Sequence, residues 1–302
     1  MLGVTALFMV VELVAGWVSG ALALVADAGH MLTDVGALGL SLFTAILARR
    51  PADLRRTYGY LRWEILAALV NGATLFGLAA WIVVEAVGRI TRPHPIETGL
   101  FVTVAALGLG VNGIGLWVLH RHRHGSLNLR GAYLHIVGDA LASVGTLLAA
   151  IVVAVTGWTV ADPLIAIVLA LLILGGAWRL LRESTDILLE AVPGHIALDD
   201  VRRRMLGVAG VRDVHDLHVW TVTSGVVAMS VHAVVPELGA HPRALVGLRE
   251  ALAGLGIGHA TIQLEVEDEC EGTNCLDPGS KPAADSHGIA HHGHAHRHHD
   301  PH

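Results

Sequence analysis

Two short motifs carry most of the chemistry in this chain. His30-Met-Leu-Thr-Asp34 and His135-Ile-Val-Gly-Asp139 share the pattern H-x-x-x-D and lie about 105 residues apart. On a helix, residues four apart project from the same face, so each motif offers one imidazole and one carboxylate on one side. Two such faces in contact make a closed set of two nitrogen and two oxygen donors, suited to tetrahedral Zn²⁺. The simpler alternative is that each pair is a His–Asp hydrogen bond satisfying two buried polar groups. Both motifs sit inside apolar stretches, where ionisable residues are costly and are functional candidates by default. Their duplication favours the metal site.

The elements that hold them are membrane spans. Of 302 residues, 53% are hydrophobic and 15% charged, and the mean hydropathy is +0.59. A soluble domain is usually about 25% charged. A bilayer span needs about 20 mostly apolar residues, and six such stretches occur, at 1–19, 21–48, 64–87, 99–119, 132–156 and 160–180. The first lacks a basic leader and a convincing cleavage site, so it is expected to be a true span and not a signal peptide. Because it starts at Met1, a cytoplasmic segment is expected ahead of it. Ten arginines flank one side of the spans (Arg49, Arg50, Arg55, Arg56, Arg62, Arg121, Arg123, Arg130, Arg179 and Arg182), against Arg89 and Arg92 on the other. The positive-inside rule then places both termini in the cytoplasm.

Further polar residues lie in the spans. Asp27 is one turn before His30, where a helix-start role competes with ion handling. Glu12 and Asn112 either line the same polar interior or hydrogen-bond between helices. Asp162-Pro163 reads as the capped start of the sixth span.

The expected domains are a six-helix membrane domain over 1–182, a small cytoplasmic domain over 183–270 and a disordered tail over 271–302. In the second, helices at about 197–208 and 241–254 and alternating runs at 213–223, 226–235 and 259–267 give the order αββαβ. That is an α+β layer of one small sheet and two helices. The first two strands are joined at Ser224 and Gly225, a hairpin signal. The tail holds eight histidines between His287 and His302. Its composition suits weak metal capture, as do His120, His122 and His124 between the fourth and fifth spans.

Several longer stretches resemble the cation diffusion facilitator family, within it the zinc transporter branch. They are Ser19 to Asp34, Tyr58-Gly-Tyr-Leu-Arg-Trp-Glu64, Asn128 to Asp139, Arg182 to Pro193, and His215-Asp-Leu-His218-Val-Trp220. The resemblance runs to about residue 270. It implies a homodimeric secondary transporter that exports Zn²⁺ from the cytoplasm by proton exchange, with six helices and a ferredoxin-like, metallochaperone-like cytoplasmic domain. His30, Asp34, His135 and Asp139 are then the transport site, and His at the first position goes with zinc preference over cadmium.

The resemblance further implies a regulatory metal site at His215, His232, His259 and Glu265, with His195 after Pro193. Gln263 and Glu265 stand where one bacterial pattern has His and Asp. The animal-type arrangement, in which cysteines after the last strand join the site, is closer. Cys270 and Cys275 match it, but with C-x₄-C spacing in place of C-x₂-C. Surface histidines without a ligand role are the alternative. A loop site between spans two and three is expected to be absent, since Tyr60 and Arg62 replace histidines near Asp53. The expected setting is the inner membrane of a prokaryotic cell.

Other classes are less well served. A net charge of −6 gives no electrostatic case for nucleic acid, and two cysteines exclude a disulfide framework. No obligatory protein partner is implied. An intramembrane metalloprotease needs H-E-x-x-H and an open metal position, and that motif is absent from the sequence. A metal receptor that moves nothing remains open, as does an importer, although importers carry other motifs.

Overall fold

The computed structural model describes residues 2–47, 53–120 and 127–266. They fall into two compact units, one ending at Ala191 and the other starting at Val192.

The first unit is six long helices: α1 (Leu2–Ser19), α2 (Leu22–Leu47), α3 (Trp63–Thr91), α4 (Thr98–His120), α5 (Leu127–Thr156) and α6 (Ala161–Leu188). Helices α3 to α6 are each long and apolar enough to cross a membrane. Helix α2 carries Asp27, His30 and Asp34, which lower its hydropathy. Large apolar side chains such as Trp81, Val84, Val155 and Leu172 are exposed on the bundle, as a lipid-facing surface requires.

Helix α3 buries Ile65, Ala68, Gly72, Leu75, Ala79, Ile82 and Ala86. Spacings of three and four define one seam down the helix, the pattern of helices that pack at a shallow angle. That seam meets α6, whose Ala166, Ala170 and Ala177 are buried opposite. Lipid tails are as apolar as leucine, so close approach through small residues drives such packing. Helices α1 with α2, and α4 with α5, form the other close pairs, and α2 lies against α3 and α6.

Asp162 departs from the expectation. The N-cap of α6 is Val160, and Asp162 lies in its first turn, fully buried. Its carboxylate accepts hydrogen bonds from the backbone N–H groups of Leu22 and Ala23, both at 2.8 Å. It therefore caps α2, not its own helix. The same turn is held by Arg89, whose Nη1 donates to the Gly20 carbonyl at 2.5 Å. On the opposite side of the bundle Arg62 pairs with Glu190 at 2.7 Å, tying the start of α3 to the residues after α6.

The second unit has the expected order: α7 (Leu198–Leu206), β1 (Asp213–Thr223), β2 (Val226–Val235), α8 (His241–Leu252) and β3 (Ile257–Val266). The sheet order is β1-β2-β3, with β2 and β3 parallel. Asp199 and Asp200 open α7 and Arg203 and Arg204 close it, in accord with the helix dipole. Val201 and Met205 from α7, and Ala244, Leu248 and Leu252 from α8, are buried at helical spacing. They cover a sheet core of Val219, Val227, Met229, Val231 and Ala233.

Candidate metal centres

The membrane site lies where packing loosens. Helix α2 is buried from Leu22 to Ala28 and half-exposed from His30 onward, while α5 is better buried after Ala142 than before it. A cavity of about 410 Å³ opens between α2, α4 and α5, lined among others by Asp27, His30, Asp34, Asn112, His135 and Asp139. Its walls continue past the site to Leu38 on α2 and Val118 on α4. Both lie toward the helix ends that bear the arginine-rich loops.

Each motif presents its pair as helical spacing dictates, and the pairs meet across the helices. His135 Nε2 lies 3.1 Å from Asp34 Oδ1 and 3.7 Å from Asp139 Oδ2. His30 Nε2 lies 3.4 Å from Asp139 Oδ1. Ligand atoms of Asp34, His135 and Asp139 fall within 4.8 Å of one another, and His30 joins this trio through Asp139. Among the described residues, Asp139 Oδ1 is buried without a hydrogen-bond partner. The His–Asp contacts run between helices as well as within each motif, so the two pairs form one cluster. The nearest donor to that oxygen is His30 Nε2, at 3.4 Å a long contact, so the oxygen is under-satisfied and a cation would satisfy it.

The cluster is supported from behind. Asn112 Nδ2 donates to Ser143 Oγ at 2.9 Å and lies 3.4 Å from the Asp139 carbonyl. Hydroxyls of Ser143 and Thr146 face Asp27. Gly36, half a turn beyond Asp34, lets α3 approach closely: a Cβ there would lie 2.6 Å from Asn71 Oδ1.

The second centre is on the small sheet. His215 and His232, on adjacent strands, have ring centroids 5.4 Å apart. His232 Nδ1 lies 2.8 Å from Glu265 Oε1, and His215 Nε2 lies 3.2 Å from Glu265 Oε2. In the alternation of β3, Glu265 falls with Gln263 on the side opposite Ile262 and Leu264. Its side chain is in fact buried, at 4% exposure, and Oε2 has no hydrogen-bond partner among the described residues. Two imidazoles converging on a buried carboxylate form a donor set that fits Zn²⁺.

Sequence reasoning missed Asp216 as a member of this cluster. Its Oδ1 lies 2.9 Å from His218 Nε2 and its Oδ2 lies 3.6 Å from His232 Nε2. His232 thus stands between two carboxylates. Asp216 has a φ of 49° inside a strand, an uncommon left-handed conformation for a non-glycine residue. The H-x-x-H spacing of His215 and His218 was the only signal in the sequence.

Two expected ligands lie elsewhere. His259 is paired with Ala228 near the start of β3, while Glu265 is paired with Val234 near its end. Six residues of strand separate them, about 20 Å. His195 lies near Gly256, also at the far end of β3. Cys270, Cys275, His122, His124 and the histidine tail fall outside the described residues. His120 Nδ1 lies 3.3 Å from the Tyr133 hydroxyl. Asp53 is engaged locally, accepting the N–H groups of Arg55 and Arg56 at 2.8 and 2.7 Å.

A helical membrane bundle with an ionisable cluster at its centre, followed by a small α+β domain, is the build of a cation transporter. Residues 1–189 match the cation efflux transmembrane domain, and residues 193–267 match the cytoplasmic domain of cation efflux proteins. The zinc transporter ZitB of Escherichia coli is 43% identical over 98% of this chain and 92% of its own length. The metal cation efflux system protein CzcD of Cupriavidus metallidurans is 43% identical over 88% and 84%. The cadmium, cobalt and zinc/H(+)-K(+) antiporter of Bacillus subtilis is 39% identical over 86% and 85%. The chain belongs to the cation diffusion facilitator family of cation efflux proteins. It is a multi-pass membrane transporter, not an enzyme.

Proposed function

We propose that this protein exports Zn²⁺ from the cytoplasm in exchange for protons, with His30, Asp34, His135 and Asp139 as the transport site. The observation that carries this reading is the cavity that reaches the four residues and continues toward the arginine-rich loops. With those loops in the cytoplasm, as the charge count implies, the site faces inward and can load from that side. The zinc transporters among the relatives support the choice of ion, and the zinc/H(+)-K(+) antiporter of Bacillus subtilis supports proton coupling.

The residues account for exchange by competition. A ligand must be free of its proton to bind metal, so metal and protons contend for the same atoms. Imidazole has an ordinary pKa of about 6.5 and changes charge within the working range. At the cytoplasmic face the ligands give up protons to take Zn²⁺. At the other face protons return to His30 and His135, and their positive charge expels the ion. The protein sits in the inner membrane with both termini inside.

The test is flux in sealed proteoliposomes. Outward zinc movement should accelerate severalfold when the proton gradient is directed inward across the protein. Zinc movement indifferent to that gradient removes antiport from the reading, and an absence of zinc movement removes the transporter reading.

We further assign His215, His232 and Glu265 as the core of a regulatory zinc site, with Asp216 and His218 beside it, in a domain that pairs with its copy in a homodimer. Zinc bound there stabilises the folded domain, by about 2.7 kcal/mol at one hundred times its dissociation constant. In full-length protein carrying Asp139→Ala, so that the membrane site adds little, zinc should raise the melting temperature. His215→Ala with His232→Ala should cancel most of that rise. The same pair of changes in an otherwise unaltered chain should weaken transport without abolishing it. Unchanged transport across a wide zinc range would remove the regulatory role.

A further inference from the structure

A second opening, of about 500 Å³, lies between α5 and α6 and reaches His30, His135 and Asp139. Apart from those three residues its lining is apolar throughout. Gly138, Ala142 and Gly145 form its wall on α5, and Ile165, Leu169 and Leu172 are on its α6 side. The floor is closed, with Ala142 8% and Leu169 4% exposed, while Leu172 at the rim is open. Both walls belong to helices apolar enough to cross a membrane, so the medium at the mouth is lipid hydrocarbon. The side chain of His135, which lines this opening, is half-exposed.

The α6 side of the groove continues to a charge. Leu172, Gly175, Gly176 and Arg179 follow one another at spacings of three, four and seven, which is one face of a helix. A Cβ added at Gly175 or Gly176 would meet nothing within 4 Å, so the path from the groove to Arg179 is clear. Arg179 is exposed and, among the described residues, has no hydrogen bond or ion pair. Glu183, one turn further on, forms no ion pair with it, and Arg182 is turned to Asp186 at 3.9 Å. Trp178 beside it is exposed, as tryptophans at headgroup depth are. An unpaired guanidinium at that depth is matched by a phosphate. An anionic headgroup, which brings no ammonium of its own, matches it best.

We propose that α5 and α6 hold one anionic phospholipid from the leaflet on the arginine-rich side. Its phosphate sits on Arg179, and one acyl chain runs over Gly175 and Gly176 into the groove. The lengths agree. Leu172 lies about 10 Å and Leu169 about 15 Å from Arg179 along the helix axis. One leaflet of hydrocarbon is about 15 Å deep, so the chain ends on the groove floor. There it supplies the apolar wall that the protein leaves open beside His135 and Asp139, and it keeps water from the ligands on that side.

The test uses the full chain in phosphatidylcholine nanodiscs containing a little phosphatidylglycerol with a diazirine at the end of one acyl chain. After irradiation, mass spectrometry should find label on Ala142 and Leu169, which lipid outside the groove does not touch. Unlabelled phosphatidylglycerol should compete severalfold better than added phosphatidylcholine. Arg179→Gln should lower the floor label severalfold while label at Val155, exposed on the bundle surface, stays as it was. Gly175→Leu, which obstructs the path, should do the same. Should that variant not reach the membrane, the competition on unaltered protein decides alone. A floor without label overturns the proposal. So does label that both lipids compete equally and that Arg179→Gln leaves unchanged, since tails then enter without a headgroup site. Disulfide trapping of two chains through Leu172→Cys would show a second copy over the groove, and also overturns it. The readout is lipid binding, so it is independent of the zinc–proton exchange reading.

Discussion

Asp139→Ala should bring zinc transport to background at unchanged membrane abundance. Asp139 is the residue on which the membrane cluster converges: one oxygen faces His30 at 3.4 Å and the other faces His135 at 3.7 Å. Its removal leaves three donors and takes away one of the two carboxylates that offset the ion. An uncompensated charge in a poorly solvated site costs about 3–5 kcal/mol, more than a hundredfold in occupancy. The apolar seams of α3 and α6 do not involve this residue, so the bundle should still assemble. The check is rescue of zinc-sensitive cells, with the variant quantified in membranes. Full rescue would mean that the two H-x-x-x-D motifs serve as structural hydrogen bonds.

His30→Asp should keep zinc transport and admit cadmium. His30 touches the trio of Asp34, His135 and Asp139 only through Asp139, so it is the ligand with most freedom to be exchanged. Replacing a bulky imidazole by a shorter carboxylate widens the site and adds negative charge. Nitrogen-rich tetrahedra favour Zn²⁺, and a roomier, more oxygen-rich set discriminates less against the larger Cd²⁺. A change of about 1.4 kcal/mol in relative affinity corresponds to tenfold. The cadmium-to-zinc flux ratio in competition should rise by about that factor. A ratio that does not move would show that selectivity is set elsewhere.

The two membrane motifs were legible because residues four apart on a helix necessarily share a face. Their convergence followed only from the duplication and the resemblance, since its geometry depends on how α2 and α5 are placed by α1, α4 and α6. The αββαβ order was legible from alternation and from the Ser224-Gly225 turn. The burial of Glu265 was hidden by the same alternation, which marks it as outward-facing when it lies beneath two histidines. Asp216 was invisible in its role because a strand pattern carries no sign of a positive φ. His259 stands apart from Glu265 along β3, a separation that a resemblance by position alone does not convey. Asp162 was assigned to its own helix because a capping residue is ordinarily local, and nothing in one sequence reveals a cap supplied from another helix.

That long-range cap bears on how the bundle is made. The first N–H groups of a helix have no partner within it, and inside a membrane an orphan donor is expensive. For α2 the acceptor is Asp162, 139 to 140 residues downstream and on the last span to be synthesised. Until α6 emerges and docks, these two donors at the tip of the α1–α2 hairpin have only water as acceptor, and the acceptor that holds α2 in its final position is missing. The helix that carries His30 and Asp34 thus takes part of its anchorage from the last of the six helices.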